Sequence, residues 1–176
     1  MKKLTLTLGL IGGAVVAAWG VFAAAYCDES MRSMLLGYTA MLIAFSVIFV
    51  AVKKERDKNG GIITFGKAFR IGLMIAFIAS TMYVAVWLVD YYVFMPDFMD
   101  KFAAHSIQKA QESHLSAQAL KEKIDSINNM KALYKSPFWV IIFTYAEVFP
   151  VGFIVSLVAA LILKRSANKT QVVGAD

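Results

Sequence analysis

Four stretches of this chain run for about twenty residues or more with almost no charge, and that limits the available folds more than any other feature. Residues 4–25 give 22 consecutive uncharged positions. An α-helix rises about 1.5 Å per residue and a bilayer's hydrocarbon core is about 30 Å thick, so about 20 apolar residues complete a crossing. Residues 33–52, between Arg32 and Lys53, repeat the pattern. The third block is uncharged over 71–89 and extends as a helix over 67–94; the fourth, 137–163, carries only Glu147 before Lys164 and Arg165 stop it. A water-facing helix needs a polar stripe, and these blocks leave no room for one. With 59% of residues apolar and 17% charged, a soluble globule is excluded. The expectation is an all-α, polytopic membrane protein, a single integral domain over 1–176 with four transmembrane helices.

The start of the chain also resembles a secretory signal, with Lys2 and Lys3, an apolar run, then Ala23, Ala24 and Ala25. A signal's apolar region is usually about 7 to 15 residues long. This longer run, interrupted by Gly9, Gly12, Gly13 and Gly20, reads instead as a retained, packed membrane helix. The single Cys27 follows Tyr26, which does not fit a lipidated cysteine, and being alone it cannot form an intrachain disulfide.

Lys and Arg set the orientation, because positively charged loops stay cytoplasmic. Eleven of them fall on one side, at the N-terminus, within 53–70 and after residue 163. The other side holds seven, Arg32 and six lysines within 96–136, nearly cancelled by Asp97, Asp100, Glu112, Glu122 and Asp125. Both termini are therefore expected in the cytoplasm of a bacterial inner membrane. The net charge of +6 is a signature of that topology and of attraction to anionic headgroups, not of nucleic-acid binding.

Between the third and fourth spans lies an extracytoplasmic helical segment, 97–135. Asp97 and Asp100 after Pro96 predict a helix start, as a cap side chain plus an acid near the positive end of the dipole. Leu120, Ile124, Ile127 and Tyr134 recur at helical spacing, leaving Lys121, Lys123 and Lys131 off the stripe, with Ser116 as the cap. A helical hairpin or kinked helix follows, its apolar stripe covering the mouth of the bundle or lying along the membrane surface. Ser136 and Pro137 then serve as cap and first residue of the fourth span.

Glu147 is the most informative residue. Ten residues beyond Pro137, it stands about 15 Å down the helix, near the bilayer midplane, where an acid costs about 2.5 to 3.5 kcal/mol by insertion scales. Ser80, Thr81 and Tyr83 reach a similar depth on the third span, Thr39 and Ser46 bracket it on the second, and Pro150 removes a helical N–H three residues later. Two readings follow: a neutral acid pinning helices together, or a proton- or cation-accepting site in a small carrier.

Small residues recur four apart at Gly9 and Gly13, Ala14 and Ala18, Gly20 and Ala24, Gly72, Ala76 and Ser80, and Gly152, Ser156 and Ala160. Such spacing lets backbones approach closely, within the chain or, on the first span, in a homo-oligomer. Trp87, Tyr91, Tyr92, Tyr134 and Trp139 gather at the predicted outer boundary as interfacial anchors. Gly61 to Lys67 has the spacing of a phosphate-binding loop, but Ala68 replaces the required Ser or Thr and no strand precedes it, so Gly60 and Gly61 are read as a turn. His105 and His114 lack further ligands, so no metal and no cofactor is expected. No nucleophile–base arrangement suggests an enzyme.

The chain resembles a family of small four-span membrane proteins common in Bacteroidota, domain of unknown function forty-one ninety-nine. The likeness rests on Gly61-Ile62-Ile63-Thr64-Phe65-Gly66-Lys67-Ala68-Phe69, on Pro96-Asp97-Phe98-Met99, and on Ser136-Pro137-Phe138 with Thr144-Tyr145-Ala146-Glu147-Val148-Phe149-Pro150-Val151-Gly152. Ser136 and Tyr145-Ala146 depart from the family's usual Asn and Phe-Leu. The resemblance implies an inner-membrane protein and leaves its activity open. The expected role is a non-enzymatic accessory or packing subunit; the alternative is a proton- or cation-coupled transporter using Glu147.

Overall fold

The computed structural model describes residues 2–26 and 34–165. Cys27, Arg32 and Lys169 lie outside them, as do the surroundings of Gly20 and Ala24. Seven α-helices follow in order among the described residues: α1 (Lys2–Tyr26), α2 (Met34–Phe45), α3 (Val47–Lys58), α4 (Phe65–Val89), α5 (Phe98–Glu112), α6 (Ala117–Leu133) and α7 (Pro137–Leu163). A π-helical turn, Asp90–Phe94, continues α4. Three helical stretches are long and apolar enough to cross a membrane: Gly37–Lys58, Phe65–Phe94 and Pro137–Leu163. In α1 the apolar part so identified is the shorter Thr5–Trp19. The all-helical expectation therefore stands, with three spans meeting the length and composition of a crossing.

The second block differs in detail from its predicted 33–52. Helix runs on to Lys58 and breaks at Ser46, whose N–H is shared between Leu42 O (3.0 Å) and Ile43 O (3.1 Å). The Ser46 hydroxyl donates to Ile43 O at 2.6 Å, a side-chain competitor that bends helices. At the far end Gly60 (φ 67°) and Gly61 (φ 82°) take the left-handed conformation that ends a helix, and Gly61 N–H reaches back to Arg56 O at 2.9 Å. The phosphate-loop spacing is thus a helix stop and a helix start: Thr64 O accepts from Ala68 N–H at 3.0 Å as α4 begins.

The chain divides into two units, residues 1–82 with 148–176, and residues 83–147. In the first, α1 and α4 run parallel: a Cβ on Gly9 would stand 2.8 Å from Ile78, and one on Gly13 2.8 Å from Met82. The equal offset of these pairs fixes the direction. α4 and α7 run antiparallel, since Gly72 meets Ser156 and Gly152 meets Ala76, with virtual Cβ distances of 2.8 and 2.7 Å. The same register continues into extended backbone, where Ile63 and Arg165 exchange bonds of 3.1 and 2.8 Å. The start of α1, the Asn59–Thr64 connection and the end of α7 consequently share one end of this unit. Phe45, Ile48, Val52 and Ile75 fill its core.

The face turned away from that core is apolar as well. Ile43 (63% exposed), Phe77 (57%) and Ile162 (66%) belong to helices with hardly a charged neighbour, the reverse of a soluble protein's surface. Gly9 and Gly13 are covered within the chain, whereas Ala14 and Ala18 are exposed.

In the second unit α5 and α6 form the predicted hairpin. Lys131 Nζ bonds Asp100 Oδ1 across it at 2.6 Å, and Ile127 is buried, with Leu120 and Ile124 half-buried. The apolar stripe on α6 is withdrawn from water within the unit. Ser116 caps α6, accepting from Ala119 N–H at 3.3 Å. Asp97 precedes α5 without capping it; its carboxylate is taken by Lys101 Nζ at 2.7 Å. That exposed carboxyl is held below the usual range, chiefly by the Lys101 hydrogen bond. The predicted anchors form one aromatic cluster: Trp87 on Phe98 (5.2 Å between ring centres), Tyr91 on Tyr134 (5.9 Å), Tyr134 on Phe143 (5.6 Å) and Trp139 on Phe143 (5.7 Å).

Candidate functional site

α7 carries Glu147 because Ser136 and Pro137 start a helix that runs unbroken for 27 residues. Pro150 sits inside that helix and offers no N–H to the turn holding Glu147. The Glu147 side chain is exposed at the helix surface and makes no hydrogen bond or ion pair among the described residues.

Two tyrosines of the same unit feel its charge. Tyr83, near the end of α4, is acted on by Glu147 and by Asp90, and Tyr134 by Glu147 and Tyr91. Tyr134 lies outside the apolar spans; burial first, then those two neighbours, hold its phenol above the ordinary tyrosine value of 10.0. The Tyr91 hydroxyl donates to Tyr134 O at 3.3 Å, fixing the start of the turn into α7. Within the second unit the charge of Glu147 thus acts on both Tyr83 and Tyr134, and that of Asp90 on Tyr83.

Of the residues singled out from the sequence, Tyr83 and Glu147 fall in this unit, while Ser80, Thr81 and Pro150 belong to the other. Ser80 is fully buried and its Oγ has no partner among the described residues. Thr81 Oγ1 donates to Phe77 O at 2.8 Å. Thr39 and Ser46 are exposed members of the first unit.

Two residues escaped the sequence reading. Asp90 stands half-buried in the π turn that continues α4, two helical turns after Tyr83. The seven-residue spacing was the available signal. Glu55 stands in the charged stretch 53–58, yet its side chain is 8% exposed and meets Lys67 Nζ at 3.0 Å. Its signal was the buried stripe Ile48, Ala51, Val52, Glu55, which continues helical periodicity past the end of the apolar block.

These features define an all-helical protein with apolar helices of membrane-crossing length and an amphipathic helical hairpin. The chain belongs to the family described as protein of unknown function DUF4199, whose model matches residues 7–165. That interval contains every stretch on which the resemblance rested. No curated protein and no solved structure matches the chain.

Proposed function

We propose that the protein is a four-span integral protein of a bacterial inner membrane, with both ends cytoplasmic, acting as a non-enzymatic accessory or packing subunit. The fourth crossing is α1, whose uncharged run is long enough for the hydrocarbon. Orientation is supported by eleven Lys and Arg that open α1, lie within 53–70 or follow α7. The observation that carries the packing role is the interlock of α1, α4 and α7. Gly9, Gly13, Gly72 and Gly152 admit neighbouring atoms where a Cβ would clash, a seam suited to holding helices rather than to sliding them. A second copy of the chain would use the exposed Ala14 and Ala18 face.

One observation favours a second reading, a small proton- or cation-coupled carrier. A pinning acid is held by donors, whereas Glu147 has none among the described residues and shares Tyr83 with Asp90. Proteoliposomes containing wild type and Glu147→Gln separate the two. Proton or cation flux in wild type, lost in the variant with the fold retained, establishes the carrier. No flux in either protein, together with a changed melting temperature in the variant, supports the subunit.

A further inference from the structure

One face of the α4–α7 seam, within the first unit, carries unopposed positive charge beside an aromatic floor. The floor is Phe69 on Phe153, edge to face with ring centres 5.5 Å apart, extended by Phe65 stacked on Phe69 at 5.8 Å. Lys164 continues the spiral of α7, its N–H bonding Ala160 O at 3.1 Å, and stands eleven residues after Phe153. That spacing is about three full turns, so Lys164 shares the Phe153 face. On α4, Gly66 and Arg70 are four apart and share a face that adjoins Phe69. Helical side chains lean toward the preceding turn, which carries Arg70 toward Gly66 and Lys164 back along α7. Because the two helices are antiparallel, these cations approach one another. A Cβ on Gly66 would meet nothing within 4 Å, so the space there is open.

Arg70, Lys164 and Arg165 are exposed, and their side chains have no hydrogen-bond or ion-pair partner among the described residues. No carboxylate occurs within 58–89 or 148–165. The two acids that precede the first of these stretches are already engaged, Glu55 by Lys67 at 3.0 Å and Asp57 by Arg56 at 3.4 Å. We propose that this face holds one anionic glycerophospholipid, its phosphate between Arg70 and Lys164 over Gly66 and the first carbons of an acyl chain on Phe69 and Phe153. Charge complementarity selects the occupant. A phosphodiester that carries no amine meets only cations here, whereas the ammonium of a zwitterionic lipid finds no free carboxylate. The general attraction of basic segments to anionic headgroups thereby narrows to one pair of cations. The assignment rests on the membrane reading above, which carbonate extraction tests separately.

Native mass spectrometry of the full chain in detergent, given equal amounts of dioleoyl phosphatidylglycerol and dioleoyl phosphatidylethanolamine, tests the proposal. The glycerol lipid should be retained roughly fivefold over the ethanolamine lipid, the scale of two partly exposed ion contacts. The double variant Arg70→Gln, Lys164→Gln should bring that ratio to about one with helicity unchanged. Lys53→Gln, Lys54→Gln removes the same charge from exposed positions on α3 and should leave the ratio as it is in wild type. Gly66→Leu keeps both cations but fills the open space, and should lower retention of the glycerol lipid at an unmoved melting temperature. Equal retention of both lipids by wild type overturns the proposal. So does an equal fall in the ratio for the two double variants, because the charge would then act as a diffuse surface. Water-soluble glycerol phosphate competing as well as the lipid also overturns it, because the aromatic floor would then play no part.

Discussion

Tyr134 offers the most accessible view of Glu147, because it lies outside the apolar spans and, after burial, the charge of Glu147 acts on it. An unfolded tyrosine ionises near 10.0, and burial followed by the charge of Glu147 raises the folded value. The folded state therefore disfavours the phenolate. This contribution to stability is fully present below the unfolded pKa and is lost as pH rises through the folded one. The difference in ultraviolet titration between wild type and Tyr134→Phe should report one tyrosine ionising above 10.0, and Glu147→Gln should move it down without abolishing the shift. A normal Tyr134 in wild type, or one indifferent to Glu147→Gln, contradicts the geometry. The Glu55–Lys67 pair is a second residue-scale test. Lys67→Met strands a buried carboxylate and should lower stability by up to about 3 kcal/mol, discounted because Lys67 is partly exposed. The double variant Glu55→Gln, Lys67→Met should recover part of that loss in thermal unfolding, and additive losses would refute the coupling.

Between elements, stability is set by close approach. Gly72→Leu would drive atoms into Ser156, and overpacking of this kind costs about 1 to 3 kcal/mol. The same change at Gly66, which has open space around it, should leave the melting temperature almost unmoved. On α6, Ser116→Ala removes a cap and should cost about 1 kcal/mol, seen as earlier loss of helicity on heating. The element scale is also where the sequence was most legible. Block 137–163 became α7 without adjustment, Ser116 capped α6, and the small residues of α4 and α7 met as spaced. Periodicity and capping are local, so they can be read from neighbouring residues. Asp97 was misread because Lys101 competes for its carboxylate, and the Ser46 break was hidden because a hydroxyl bonding its own helix leaves no trace in hydrophobic periodicity. Asp90 and Glu55 were missed for a related reason. A charged residue at the end of an apolar run looks solvated until the tertiary partner that buries it is known.

For the whole molecule, the physical claim is that hydrocarbon is the solvent for four helices and that the basic segments all lie in the cytoplasm. The register linking α1, α4 and α7 brings the start of α1, the Asn59–Thr64 connection and the end of α7 to one end of the first unit, and those are the positions the lysine and arginine distribution assigns to a single compartment. A bilayer explains both facts with one cause, since moving positive loops across it is unfavourable. Carbonate washing should leave the full chain in the membrane pellet; its release would remove the basis for four crossings. Reporter fusions at the N-terminus, at Gly60, at Leu115 and at the C-terminus test the topology most directly. The account predicts cytoplasmic reporters active at the two ends and at Gly60, and an external reporter active only at Leu115. Ends in opposite compartments, or Leu115 on the same side as Gly60, would contradict it.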